Sequence, residues 1–346
     1  PAQNQQYENF IIRYKQNIHG TFPYESDDTF QIVNDLFGIL YVPMKDVPEL
    51  ELSSYSYSSI PRCYTYMDTG ALSASGVTRL HEHPYLQLQG KGTLVAVIDS
   101  GIDYLHPAFH NGTRSKILSI WDQELEGEPN ERIPFGREFT REQIERALAS
   151  ENPWEVVPSG DRNGHGTRCA ATAAGYRIEK EGFSGAAPES ELVIVRLKQA
   201  KMYLRDFYLL PQGADIFQED DIMLALSYVL RVAQEQQMPL SICIGLGTSM
   251  GAHRGEGPLN EYINSIAAFT QNAVSVAAGN EGTARHHYLK ELNQSVREDT
   301  VELRIGEKEN TRGFMMEFWG DSPGSYYMMI QSPTGEQLSV STSLKN

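Results

Sequence analysis

The chain has 346 residues, 40% of them hydrophobic and 21% charged, with 29 Lys and Arg against 45 Asp and Glu for a formal charge of −16. More than one folding unit is expected, because single cores stop growing at about 250 to 300 residues, and no stretch reaches the roughly 18 apolar residues that a membrane span needs. The negative field repels phosphate backbones, so neither nucleic acid nor membrane is an expected partner, and three distant cysteines, Cys63, Cys169 and Cys243, make neither a disulfide framework nor a zinc cluster.

The opening residues, Pro1 to Gln6, lack the basic and apolar regions of a secretory signal. Alternation in Phe10-Ile11-Ile12-Arg13-Tyr14 and the apolar stretch Phe37 to Val42 predict strands, and the Ser- and Tyr-rich tail Leu52 to Pro61 has little core potential. Residues 1–67 therefore read as a small α+β unit ending in an extended arm. From about residue 91 the pattern changes to short apolar runs separated by helical stretches, as in a parallel sheet covered on both faces. The runs are Thr93–Ile98, Leu192–Leu197, Leu240–Leu246 and Ala273–Ala277. One helix is expected from Asp220-Asp221 through Val232, its acids at the positive end of the helix dipole, and another from Leu259 to Gln271. After Asn280, strand-like segments recur at Val301–Ile305, Gly313–Trp319 and Tyr326–Ile330, with turn signals at Ser322-Pro323-Gly324 and Pro333-Thr334-Gly335. The expected division is 1–67, 68–290 and 291–346, the last a β-rich segment.

Two motifs carry the chemistry. In Val95-Ala96-Val97-Ile98-Asp99-Ser100-Gly101-Ile102-Asp103 an apolar run delivers Asp99 to the carboxyl end of a parallel strand, where sites form in doubly wound sheets. Taken alone, such an acid also serves as a helix cap or a metal ligand. In Asn163-Gly164-His165-Gly166-Thr167 a glycine-flanked histidine follows 66 positions later (165 minus 99) and opens a helix whose alanines, Ala170, Ala171, Ala173 and Ala174, permit tight packing. An isolated histidine is more often structural, but Asp before His is the triad order of one protease class. A third segment, Ala277-Ala278-Gly279-Asn280-Glu281-Gly282, follows a predicted strand and is otherwise a plain turn.

Together these motifs resemble those of the subtilases, the subtilisin-like serine proteases of peptidase family S8. The resemblance is motif-specific from about residue 68 to 282. It implies a subtilisin-like α/β fold, a parallel sheet with helices on both faces. It also implies a serine endopeptidase in which Asp99 orients His165 and His165 takes the serine proton. Asn280 then supplies the oxyanion hole, and Gly245, Leu246, Gly247 and Gly279 contact an extended protein or peptide substrate. Gly245-Leu246-Gly247 stands where the family has Ser-Leu-Gly. Gly247-Thr248-Ser249-Met250 looks like the family's serine motif, but Ser249 precedes Asn280 and runs into Gly251 to Pro258, whose glycines and charges oppose the buried helix that the family's serine opens. The nucleophile is expected beyond residue 346.

Leu118–Gln123, Ile242–Gly247 and the β-rich stretch after Asn280 are similar to the clostridial germination-protease branch, in which a jelly-roll-like domain interrupts the catalytic domain. By the same resemblance residues 1–67 correspond to a propeptide that templates folding and then blocks the cleft, with self-cleavage in the Tyr64 to Ala71 neighbourhood; otherwise they form an accessory domain. Two function classes stay open: an active protease, or an inactive subtilase-like binding or signalling module in spore germination. A spore-germination precursor and general protein degradation are both open as substrates, in a spore-associated or secreted setting. Calcium is common in the family, yet no loop here has ligand spacing that nominates a site. His81-Glu82-His83 and His286-His287 lack a third metal ligand and read as solvated loops, so no metal is assigned.

Overall fold

The computed structural model describes residues 1–14, 29–47, 50, 55–66, 77–81, 83, 85, 88–251, 253–279, 284–305, 313–321 and 324–342. At the N-terminus, β1 (Tyr7–Arg13), β2 (Phe30–Ile32) and β3 (Phe37–Pro43) form an antiparallel sheet in the order β1-β3-β2, with Ile11 opposite Ile39. The predicted strands are present, and the described residues of this unit contain no α-helix. The arm then forms β4 (Cys63–Tyr66) and leads to the short helix α1 (Val77–His81).

The central unit opens with β5 (Leu94–Asp99), all six residues buried, and a small hairpin of β6 (His110–Asn111) and β7 (Arg114–Ser115). Next come β8 (Ile117–Asp122), β9 (Arg137–Thr140), α2 (Arg141–Leu148), α3 (Pro153–Val156), α4 (His165–Ala174), β10 (Glu191–Arg196) and α5 (Met202–Phe207). The unit continues through β11 (Phe217–Gln218), α6 (Glu219–Gln236), β12 (Leu240–Ile244), β13 (Leu246–Gly247), α7 (Pro258–Ala267) and β14 (Asn272–Val276). Six strands make one sheet, β14-β12-β5-β10-β8-β9, with every pair parallel except β8 with β9. This is the α/β fold expected from the apolar runs. A strand flanked on both sides and covered on both faces has no polar face, which is why β5 reads Leu-Val-Ala-Val-Ile before its terminal acid.

Two cores lie on opposite faces of the sheet. One gathers Ala96, Ile98 and Val195 with α6, α7 and the N-terminal residues Ile11, Phe37, Ile39 and Tyr41. The N-terminal sheet is thus packed on the helical layer rather than tethered beside it. The other joins Val95, Val97 and Ile194 to α2 and to Cys169, Ala170 and Ala174 of α4.

Two expectations change. β14 was read as covered on both faces, but its residues are half-buried or exposed, because it is the edge of the sheet. Val301–Ile305 and Gly313–Trp319 form no strand, whereas β15 (Tyr326–Gln331) and β16 (Gln337–Thr342) pair as a hairpin around Pro333-Thr334-Gly335. The 313–321 segment instead packs on the arm. The Tyr57 hydroxyl donates to Glu317 Oε1 at 2.5 Å, Gly251 N–H and Trp319 Nε1–H donate to Glu317 Oε2, and the Tyr57 and Trp319 rings meet edge to face.

Candidate active site

β5 ends at Asp99, fully buried between β12 and β10, and α4 begins at His165 directly above it. His165 Nδ1 and Asp99 Oδ1 are 2.8 Å apart, and the ring is 8% exposed, so it is shielded but reachable. Ser100 N–H also donates to Asp99 Oδ1 at 2.7 Å.

The approach of α4 to β5 depends on Gly166. A Cβ there would lie 2.2 Å from the Gly101 carbonyl oxygen and 3.2 Å from the Asp99 Cβ, so any side chain would push helix and strand apart. The N-cap of α4 is Gly164, which has no side chain to satisfy the first N–H groups; Asp161 supplies the missing acceptors. Its Oδ2 accepts Thr167 N–H and Oγ1–H at 2.8 and 2.7 Å, and its Oδ1 accepts Gly164 N–H and the Ser100 hydroxyl. Ser100 Oγ in turn accepts Gly166 N–H at 2.9 Å. Burial pushes the Asp161 carboxyl up, but the bonds from Thr167, Ser100 and Gly164 outweigh it and hold the group below the ordinary carboxylate range. Sequence reading missed Asp161; its signal is an acid three residues ahead of the glycine that starts a helix.

Cys169, set aside in the sequence as neither disulfide nor zinc ligand, has a place in the site. It stands one turn below His165 on the same helix face, with Sγ 3.8 Å from His165 Nδ1, and Cys243 of β12 lies alongside. Asp99, His165 and Cys169 place one donor atom each within 4.8 Å of the others, a set with the chemistry to ligate a metal, although it includes the two atoms joined by the Asp99–His165 hydrogen bond. His81, read as a solvated loop residue, lies in α1 and bonds the Ala186 carbonyl through Nε2, while His286 and His287 are exposed.

Gly245 follows β12, and Leu246 and Gly247 form β13. Here the arm returns. β4 lies between β11 and β13, antiparallel to both, with Tyr66 opposite Leu246, Thr65 opposite Gly247 and Tyr64 opposite Phe217. Gly279 is exposed just past β14, and Asn280 lies outside the described residues. Ser249 is exposed on the loop leaving β13, where its carbonyl bonds His253 Nε2; the loop to Gly257 is not helical. A cleft of about 990 Å³ opens beside Ser100 and Asn163, lined also by Arg162, Arg196, Arg205 and Asp215.

An acid at the end of a parallel strand and a histidine opening α4 thus form a hydrogen-bonded acid–base pair on an α/β sheet. The model of the subtilase family matches residues 90–302, and the chain belongs to that family. It is 30% identical over 196 residues to the intracellular serine protease of Paenibacillus polymyxa, covering 57% of this chain and 44% of that protein. The structure of the Clostridium perfringens CspB protease is similar with a TM-score of 0.50 and 28% identity, covering 61% of this chain and 40% of that one. The chain thus spans less than half the length of these two relatives, one of them clostridial.

Proposed function

We propose that this chain carries the acid and base of a serine endopeptidase with an Asp-His-Ser triad, and that residues 1–67 are an inhibitory propeptide which the enzyme removes from itself. The observation that carries the reading is β4, held antiparallel between β11 and β13 beside the Asp99–His165 pair. Main-chain pairing on both edges is how a site grips an extended peptide of any sequence.

In this mechanism Asp99 holds the proton on His165 Nδ1, so that the other ring nitrogen is the base; when it takes the serine proton, the carboxylate stabilises the imidazolium. The Asn280 amide donates to the oxyanion, and Gly245, Leu246, Gly247 and Gly279 line the main chain of the substrate. A protein or peptide is therefore the substrate class. The nucleophile is assigned to sequence after residue 346, since Ser249 is exposed on an irregular loop rather than at a buried helix start. The hydrogen-bonded Asp99 and His165 favour an enzyme over an inactive binding module.

By the family resemblance the bond cut is assigned to the Tyr64 to Ala71 neighbourhood, at the end of the arm that carries β4. The test is N-terminal sequencing of the whole protein together with fluorophosphonate labelling. Labelling and an N-terminus in the Tyr64 to Ala71 neighbourhood are expected. Fully active material with its front end intact overturns the propeptide assignment, and a folded whole protein that does not label overturns the enzyme assignment.

A further inference from the structure

Asp99 has two carboxylate oxygens and only one is accounted for. Oδ1 takes the His165 and Ser100 bonds, whereas Oδ2 is buried and accepts no hydrogen bond among the described residues. Leaving such an acceptor unsatisfied costs about 1 to 3 kcal/mol. We propose that the Cys169 thiol is a positioning residue of the dyad, directing its proton to Asp99 Oδ2 from the place that a hydroxyl at position 245 would otherwise fill. The catalytic consequence rests on the function proposed above.

Three observations converge on this. The thiol lies within 4.8 Å of an Asp99 carboxylate oxygen and shares a helix face with His165. It stays protonated: burial first, and then the Asp99 charge, push it far above an ordinary thiol, with Cys243 acting the same way and Arg168 weakly opposing. A neutral thiol beside a carboxylate is a donor, not a nucleophile. Finally, the space is exclusive. A Cβ at Gly245 would sit 2.7 Å from Asp99 Oδ2, 3.1 Å from Cys169 Sγ and 3.2 Å from His165 Cε1. A side chain at 245 and a sulfur at 169 would compete for one position facing Oδ2; in this chain glycine leaves it to the sulfur.

The sign of the effect follows from charge. A donor on Oδ2 draws negative charge away from the imidazole, so removing it makes the ring more basic, and a stronger O–H donor makes it less so. The test follows the His165 ring by NMR in isotopically labelled whole protein, assigned with His165→Gln. Cys169→Ala is expected to raise the midpoint of ring titration by about half a unit, roughly a threefold change in proton affinity. Cys169→Ser, which barely changes volume, is expected to lower it. A packing role predicts no opposition between Ala and Ser, so shifts of the same sign, or none in the Ser variant, overturn the proposal. If Cys169→Ala does not fold, the Ser variant alone decides. In the same samples peptide hydrolysis is expected to fall in kcat with KM unchanged in Cys169→Ala. Ring shifts as expected without hydrolysis in the wild type sink the protease reading and leave the positioning role standing.

Discussion

Arg62 grips Glu219 with both prongs of its guanidinium, Nη2 on Oε1 at 2.6 Å and Nε on Oε2 at 3.1 Å, while Arg62 N–H also donates to Glu219 Oε2 and Glu219 N–H donates to the Arg62 carbonyl. The pair is buried and fixes the start of β4 to the first turn of α6; Glu219 also accepts the Leu259 N–H at the start of α7.

Glu219→Gln leaves the guanidinium buried against a neutral amide. Removing one partner of a buried pair typically costs about 3 to 5 kcal/mol. The expected outcome is a loss near the low end of that range in urea unfolding, because the amide keeps some bonds, with faster proteolytic nicking in the arm. Unchanged stability would mean that the pair contributes no more than a surface contact.

Asp99→Asn keeps the size of the side chain but removes the charge that stabilises the imidazolium and the preference for the right tautomer. In whole protein, kcat on a peptide substrate is expected to fall by about 10⁴-fold, and the N-terminal segment to stay attached. Enzyme assays and mass spectrometry read the two effects separately.

Gly166→Ala tests the helix–strand approach. With 2.2 Å available, the methyl forces α4 away from β5. Overpacking of this kind costs about 1 to 3 kcal/mol, and displacement of His165 by about 1 Å costs about 100-fold in rate. A fall in activity larger than the fall in stability explains is the expected signature.

Lys116 sits at the far end of the same helix. It is buried, with Nζ donating to the Ala174 and Pro188 carbonyls and 4.2 Å from the centre of the Tyr176 ring. Burial lowers its pKa to about 8, with Glu191 partly opposing, against an ordinary value of 10.5. Between those values the unfolded chain holds the proton and the folded chain releases it, so stability rises with pH across the window. The Lys116 contribution is expected to total about 3 kcal/mol and is read as the difference between wild type and Lys116→Met in denaturation from pH 8 to 10.5, since the buried thiols and tyrosines push the other way in both proteins.

Asp99, His165 and the buried strands were legible because each is written locally: a continuous apolar run, a terminal acid, a glycine-flanked histidine. What stayed hidden depends on distance along the chain. Arg62 and Glu219 are 157 positions apart, and nothing near either names the other. Cys169 reads as a small apolar residue until β5 brings Asp99 beside it. The apolar character of Gly313–Trp319 reports an extended segment but not its neighbour, and Trp319 spends its ring on Tyr57 rather than on a sheet. The boundary of the arm was read from composition, whereas the pairing of Tyr66 with Leu246 emerges only in the fold.

The seat of β4 has a consequence for solubility. β11 and β13 are two-residue strands whose inward edges are capped by the arm. When the arm leaves, both present open N–H and C=O groups to any extended chain, including the exposed hairpin of another molecule, and open edges are where strands join between molecules. Loss of residues 1–67 is therefore expected to make concentrated protein self-associate, and a short peptide that refills the slot to disperse it.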